Sequence, residues 1–192
     1  MYKARKFDNL LGLSGFSDKA LQTHFKLYNG YVDNTNKIDL QLVDIQVQSK
    51  TATPEFAELK RRFAWEFNGM RLHEYHFEAL TKEKKEINKD GELYKKLEAQ
   101  FQSFENWKKD FMATASMRGI GWVILYYDEI ANKLFNVWVN EHDNGHLAGC
   151  KLLLNLDLFE HAFLIDHSTN KAEYINTFMD AIDWDMVEKR FK

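Results

Sequence analysis

Leucine, carboxylate and imidazole crowd together in the stretch LLLNLDLFEHAFL, Leu152 to Leu164. Five of its first seven residues are leucine, and Asp157, Glu160 and His161 follow close behind. The run reads as a buried strand, where a carboxylate and an imidazole are costly unless something pairs with them. Six further histidines stand elsewhere: His24, His73, His76, His142, His146 and His167. His24 and His73 fall on the apolar faces of two separate helical patterns. Taken singly, each is most simply a core residue with one hydrogen bond, and Asp157 a turn residue at a strand end. Taken together, two inward imidazoles plus an Asp and a His four residues apart suit a metal held by nitrogen and oxygen. A metal would turn the buried charge of Asp157 from a cost into a ligand. Three His and one Asp fit zinc in a closed tetrahedron, or iron or manganese with a position left for solvent. A two-His-one-carboxylate iron oxygenase is the nearest rival.

The elements that must position these residues are legible around them. One proline in 192 residues leaves long helices uninterrupted. After Ser17, an N-cap candidate, Leu21, His24, Phe25, Tyr28 and Val32 fall near one helical face. Phe56, Leu59, Phe63, Phe67, Met70, His73 and Phe77 repeat that spacing, so the two segments predict a long helical hairpin. The charged stretch from Lys82 to Phe104 breaks at Asp90-Gly91 and leads into another helix. From Gly119 the texture changes to β-branched and aromatic runs. GWVILYYD and the run to VWVN, split by the polar stretch Asp128 to Lys133, signal a hairpin, and CKLLLNLDLF supplies a third strand. NKAEYINTFMDAIDWDMVEKRF returns to helical spacing. The expected fold is α+β: an N-terminal helical hairpin lobe over 1–82, and a C-terminal α/β lobe over 83–192 with a three-stranded antiparallel sheet.

Composition sets bounds. A net charge of −3 and a pI near 6.2 give no support for nucleic acid or an anionic membrane as a partner. No apolar run approaches the roughly 18 to 20 residues that span a bilayer. The N-terminus lacks the apolar core and small-residue cleavage site of a secretory signal, so the cytoplasm is the expected location. A single cysteine, Cys150, excludes an internal disulfide framework.

These residues also carry a resemblance. DLFEHAF resembles the D-x-W-E-H-A-[YF] signature of the iron/manganese superoxide dismutases. HFKLYNGYVDNTN is similar to that family's first helix, NGMRLHEYHF to its second, GIGWVILYYD to its G-x-G-W strand, and NKAEYINTFMDAIDW to its closing helices. The resemblance covers nearly the whole chain. It implies that His24, His73, Asp157 and His161 are the metal ligands, with a solvent as the fifth, and that each subunit holds one iron or manganese ion. His76 is the lesser candidate in its helix, because the family usually places an aromatic side chain there. Superoxide is the implied substrate, and dioxygen and hydrogen peroxide the products. Tyr31 matches the tyrosine at the mouth of the substrate channel, and Trp122 a tryptophan that walls the pocket. Glu160 matches the glutamate that reaches across a homodimer interface to the partner's metal-ligating histidine. Lys26 and Lys171 match basic positions near the channel.

Several positions depart from the family pattern. The helix after His24 is one residue shorter, Leu27 and Leu164 stand where a cross-subunit His/Tyr pair is usual, and Phe159 replaces the signature tryptophan. The family also places a glutamine beside the bound solvent, from one lobe or the other. Here Gly69 occupies the N-terminal position and His142 the C-terminal one. Iron, manganese or both remain open, with iron slightly favoured because an imidazole lowers the potential less than an amide. A non-haem iron oxygenase and a metal-binding structural protein without turnover are the alternative readings.

Overall fold

The computed structural model describes residues 1–192. Helix α1 (Asp18–Val47) begins where the Ser17 side chain accepts the Ala20 N–H. Its buried residues Leu21, His24, Tyr28, Val32, Thr35, Ile38, Leu42 and Ile45 recur every three or four positions. Helix α2 (Pro54–Glu78) starts on a Thr53 cap with Pro54 in its first turn, where a missing N–H costs nothing. The two pack as the helical hairpin. Only the second half of α2 is buried, from Glu66 onward; Phe56, Leu59 and Phe63 are half-buried.

The charged middle of the chain forms two helices, α3 (Glu92–Phe101) and α4 (Phe104–Ala115). Periodicity does not reveal the break between them. Gln102 adopts a left-handed conformation with φ 69°, and the Ser103 side chain then accepts the Asn106 N–H to start α4.

Strands β1 (Gly121–Asp128), β2 (Lys133–Asn140) and β3 (Lys151–Asp157) form one antiparallel sheet in the order β2-β1-β3. The Asp128 carboxylate closes the β1–β2 turn by accepting the Ile130 and Ala131 N–H groups. The register sets Asp157 beside Trp122, and Trp122 beside Val139 on its other side. The LLLNLD run is thus the buried edge strand that delivers Asp157 at its end. Helices α5 (Glu160–His167), α6 (Lys171–Asp180) and α7 (Trp184–Phe191) complete the chain. Asp183 ends the apparent single closing helix by capping α7.

Helix α1 packs on α5, and α2 packs on β3. The largest core cluster accordingly draws on both halves of the chain, from Tyr28, Met70 and Phe77 to Leu153, Leu156 and Phe178. No helix is long and apolar enough to cross a membrane.

Candidate metal centre

Four elements meet at one point: α1 brings His24, α2 brings His73, the end of β3 brings Asp157 and the first turn of α5 brings His161. One nitrogen or oxygen from each lies within 4.8 Å of all the others. The three Nε2 atoms surround a single carboxylate oxygen, Asp157 Oδ2, at 3.1 Å (His24), 3.3 Å (His161) and 3.5 Å (His73). The other oxygen, Oδ1, accepts the Phe159 N–H at 2.8 Å, which fixes the carboxylate plane. Asp157 is also held by its main chain, since Tyr174 Oη donates to its carbonyl at 2.8 Å.

His73 tests whether this cluster suits a metal. Its Nδ1 lies 2.6 Å from the Gly69 carbonyl, which can only accept, so Nδ1 carries the proton. Nε2 therefore presents a bare lone pair to the cluster, and it is buried with no hydrogen-bond partner. A buried acceptor without a donor is costly. A cation removes that cost, and donors held about 2.1 Å from one ion naturally sit about 3 to 3.5 Å apart. The donor set of three imidazoles and one carboxylate therefore fits one hard-to-borderline metal ion.

The electrostatics favour the deprotonated forms of His73, His24 and Asp157, and act the other way on His161. Burial holds His73 well below the usual imidazole range, and the neighbouring His24 adds to this. Burial lowers His24 as well, against the pull of Asp157. Burial alone would raise the Asp157 carboxyl, but the His161 and His24 imidazoles hold it well below the usual range. For His161 burial pushes down, and the adjoining Asp157 charge outweighs it, leaving the imidazole raised.

Tyr31, His142 and Trp122 line one side of this cluster. The indole of Trp122 can only donate, and its Nε1–H points to His142 Nδ1 at 3.1 Å. Neutral His142 then carries its proton on Nε2, which donates to Tyr31 Oη at 2.8 Å. The chain runs in one direction, Trp122 to His142 to Tyr31, and leaves the Tyr31 O–H free to donate. Burial, with the nearby Asp157 charge, raises that phenol to about 12, so it stays protonated at neutral pH. The loop residue His142 is fully buried, and burial takes its imidazole down to about 4.

Gly69 has a structural reason to be glycine. A Cβ there would meet Tyr31 ring atoms at 2.5, 2.7 and 2.9 Å. The Tyr31 ring fills the space that a side chain at position 69 would need. His76 lies outside the four-residue cluster. Its Nδ1 faces the Asn155 carbonyl at 3.2 Å, and its ring stacks on Phe178 at 5.5 Å.

The remaining positions are more peripheral. Glu160 is exposed at the start of α5. Lys26 is exposed on α1; Lys171 donates to the Met117 carbonyl and lies over the Trp138 ring. Sequence reasoning missed Trp65, whose ring packs edge-on against His142 at 4.8 Å under the Arg62 guanidinium. It also missed Tyr174 and the Tyr126–His146 pair. None of these carries a local signal, because each acts through a contact distant in sequence.

A helical hairpin and an α/β half each contribute two donors to one buried point, an arrangement that could hold one metal ion in an α+β protein. Comparison with known proteins makes the class specific. Residues 89–190 match the model of the iron/manganese superoxide dismutases, C-terminal domain. An iron superoxide dismutase of Cupriavidus metallidurans is 33% identical over 184 residues, covering 93% of this chain and 90% of that protein. One from Aquifex pyrophilus is 30% identical over 185 residues, covering 94% and 86%. A manganese superoxide dismutase of Haloarcula marismortui is 39% identical over 103 residues, a match that spans 54% of this chain and 50% of the relative. The chain belongs to the iron/manganese superoxide dismutase family.

Proposed function

We propose that this protein is a superoxide dismutase in which His24, His73, Asp157 and His161 hold one iron or manganese ion per subunit. The observation that carries the reading is the convergence of three Nε2 atoms on Asp157 Oδ2, with His73 Nε2 buried and otherwise unpartnered. Relatives of both metal types are named superoxide dismutases, which supports the activity. When bound, the ion supplies one-electron redox chemistry, which turns two superoxide anions and two protons into dioxygen and hydrogen peroxide.

The chain's own residues set the conditions for that chemistry. Asp157 contributes one negative charge against three neutral imidazoles, so the centre stays cationic and attracts an anion. His73 is locked in one tautomer by the Gly69 carbonyl, which keeps Nε2 available without any rearrangement. Trp122 and Phe159 wall the pocket and exclude bulk water; Phe159 stacks on both His142 and His161. Tyr31 Oη, with its accepting side taken by His142, is the donor that delivers protons.

His142 bears on the choice of metal. A side-chain amide in this place has two N–H donors and an acceptor, whereas neutral His142 has one of each. Trp122 takes the acceptor and Tyr31 takes the N–H, leaving no second donor for the pocket. With one donor fewer to favour the oxidised ion, its potential is lowered less, and iron, which needs less lowering, is the preferred metal.

The functional unit is a homodimer with Glu160 at the two-fold interface, accepting a hydrogen bond from His161 of the second copy. The exposed apolar side chains Leu27, Leu164 and Ile165 support this, because they lie on α1 and α5, the two helices that carry His24 and His161. Within each subunit, 1–82 and 83–192 are the two lobes, and the site lies between them.

Superoxide decay measured on protein loaded separately with iron and with manganese, at known metal content, tests the proposal. Activity should scale with bound iron or manganese and be absent with zinc, which has no redox cycle. Stoichiometric iron and manganese without superoxide turnover would instead indicate a structural metal.

A further inference from the structure

The residue His142 sits on the loop between β2 and β3, yet it is fully buried while its neighbours Asp143 and Asn144 are exposed. The loop is tightly turned: Asn140 and Asn144 exchange main-chain hydrogen bonds of 2.7 and 3.3 Å, and Glu141 and Gly145 take φ values of 53° and 111°. Trp122 and Tyr31 hold the side chain of His142. Something else must hold its backbone.

The second anchor is a pair of side chains. His146 Nε2 lies 2.8 Å from the His142 carbonyl oxygen, and Tyr126 Oη lies 2.6 Å from His146 Nδ1. A carbonyl only accepts, so His146 Nε2 carries the proton, and in that tautomer Nδ1 accepts the Tyr126 O–H. Each group has one role, and the direction is fixed. Tyr126 and Trp122 are four residues apart on β1, and both belong to one small buried cluster with Ile124. They therefore share a face of the central strand. That face holds His142 twice, through Trp122 at the ring and through Tyr126 and His146 at the main chain.

We propose that His146 and Tyr126 are positioning residues that set the placement of the His142 imidazole, and through it the metal preference and anion affinity of the site. The inference rests on the role given to His142 above. A loop without this anchor would let the imidazole drift, stretching its hydrogen bonds of 3.1 Å to Trp122 and 2.8 Å to Tyr31. His146 borders a surface cavity of about 530 Å³, shared with Leu147 and Cys150. Loss of its imidazole therefore opens onto solvent and leaves no sealed void.

The test uses the iron-loaded and manganese-loaded holoenzyme, with azide as the anion probe. Azide dissociation constants are read optically, alongside the iron-to-manganese activity ratio, metal content and urea midpoints. His146→Leu removes the donor, His146→Gln keeps one, and Tyr126→Phe removes only the hydroxyl. His146→Leu should retain full metal yet change the azide constant and the activity ratio by about fivefold, the worth of one hydrogen bond. His146→Gln should return both to within about twofold of wild type, and Tyr126→Phe should move them part of the way. If His146→Leu or Tyr126→Phe lowers only the urea midpoint, leaving the azide constant and the ratio unchanged, the pair is structural and the inference is overturned. Should His146→Leu not fold, Tyr126→Phe alone decides on the same readouts. His142→Gln is measured beside them. If it too changes neither readout, the role of His142 itself fails; if it changes both while the pair does not, only this inference fails.

Discussion

Two glycines inside helices should respond oppositely to alanine. Gly30 in α1 has no atom within 4 Å of the place a Cβ would occupy, whereas at Gly69 in α2 the Cβ would lie 2.5 Å from the Tyr31 ring. Alanine in a helix interior gains up to about 1 kcal/mol over glycine. Gly30→Ala should therefore stabilise the protein by about 0.5 to 1 kcal/mol. At Gly69 the same gain meets an overpacking cost of about 1 to 3 kcal/mol. The clash involves ring atoms near the base of Tyr31, at 2.7 and 2.9 Å as well as 2.5 Å, so the whole ring must move. That movement breaks the 2.8 Å hydrogen bond from His142, worth about 1 kcal/mol more. The net expectation is a loss of about 1 to 3 kcal/mol, with activity falling further than stability because Tyr31 is displaced. Urea unfolding of both variants, metal-free and metal-loaded, reads the stability, and superoxide decay reads the activity. A Gly69→Ala protein as stable and as active as Gly30→Ala would refute the packing argument.

Three further expectations follow from the site. His142→Gln restores a second N–H donor and should shift the activity ratio from iron toward manganese with both metals still bound; an unchanged ratio removes His142 from the account. Metal-free protein should lose stability as pH falls from about 6.5 to 4, because the unfolded state takes up protons that buried His76 and His142, both lowered to about 4, refuse in the fold. Each contributes up to about 3 kcal/mol by pH 4, so urea midpoints that stay flat between pH 7 and 5 would contradict the burial argument. Glu160→Ala should weaken both the dimer and metal retention, since one side chain supports both; a wild-type protein that sizes as a monomer at micromolar concentration would rule this out.

Much of the architecture was legible because local rules agreed with the tertiary result. The Ser17 cap, the three-and-four spacing around His24 and His73, and the two strand runs flanking Asp128 to Lys133 all mark the elements that form. The Asp157–His161 pair was legible for the same reason, a carboxylate and an imidazole set at the end of a leucine-rich strand. What stayed hidden depends on contacts between distant residues. Gln102 and Asp183 divide helices by backbone conformation and capping that periodicity does not register. The reason for Gly69 lies in a tyrosine on another helix. His76 shows the opposite limit: a buried histidine beside the candidate metal cluster that is satisfied by one main-chain carbonyl, the ordinary fate of a core imidazole.

Asp157 is the only charged donor among the four residues proposed to hold one redox-active ion. Elemental analysis of Asp157→Ala, purified from cells supplied with iron and with manganese, tests that assignment directly. Wild-type protein should carry about one ion per subunit, and the variant should lose iron and manganese together, since removing the carboxylate leaves three neutral imidazoles around an uncompensated cation. Full iron or manganese occupancy in folded Asp157→Ala would contradict the assignment.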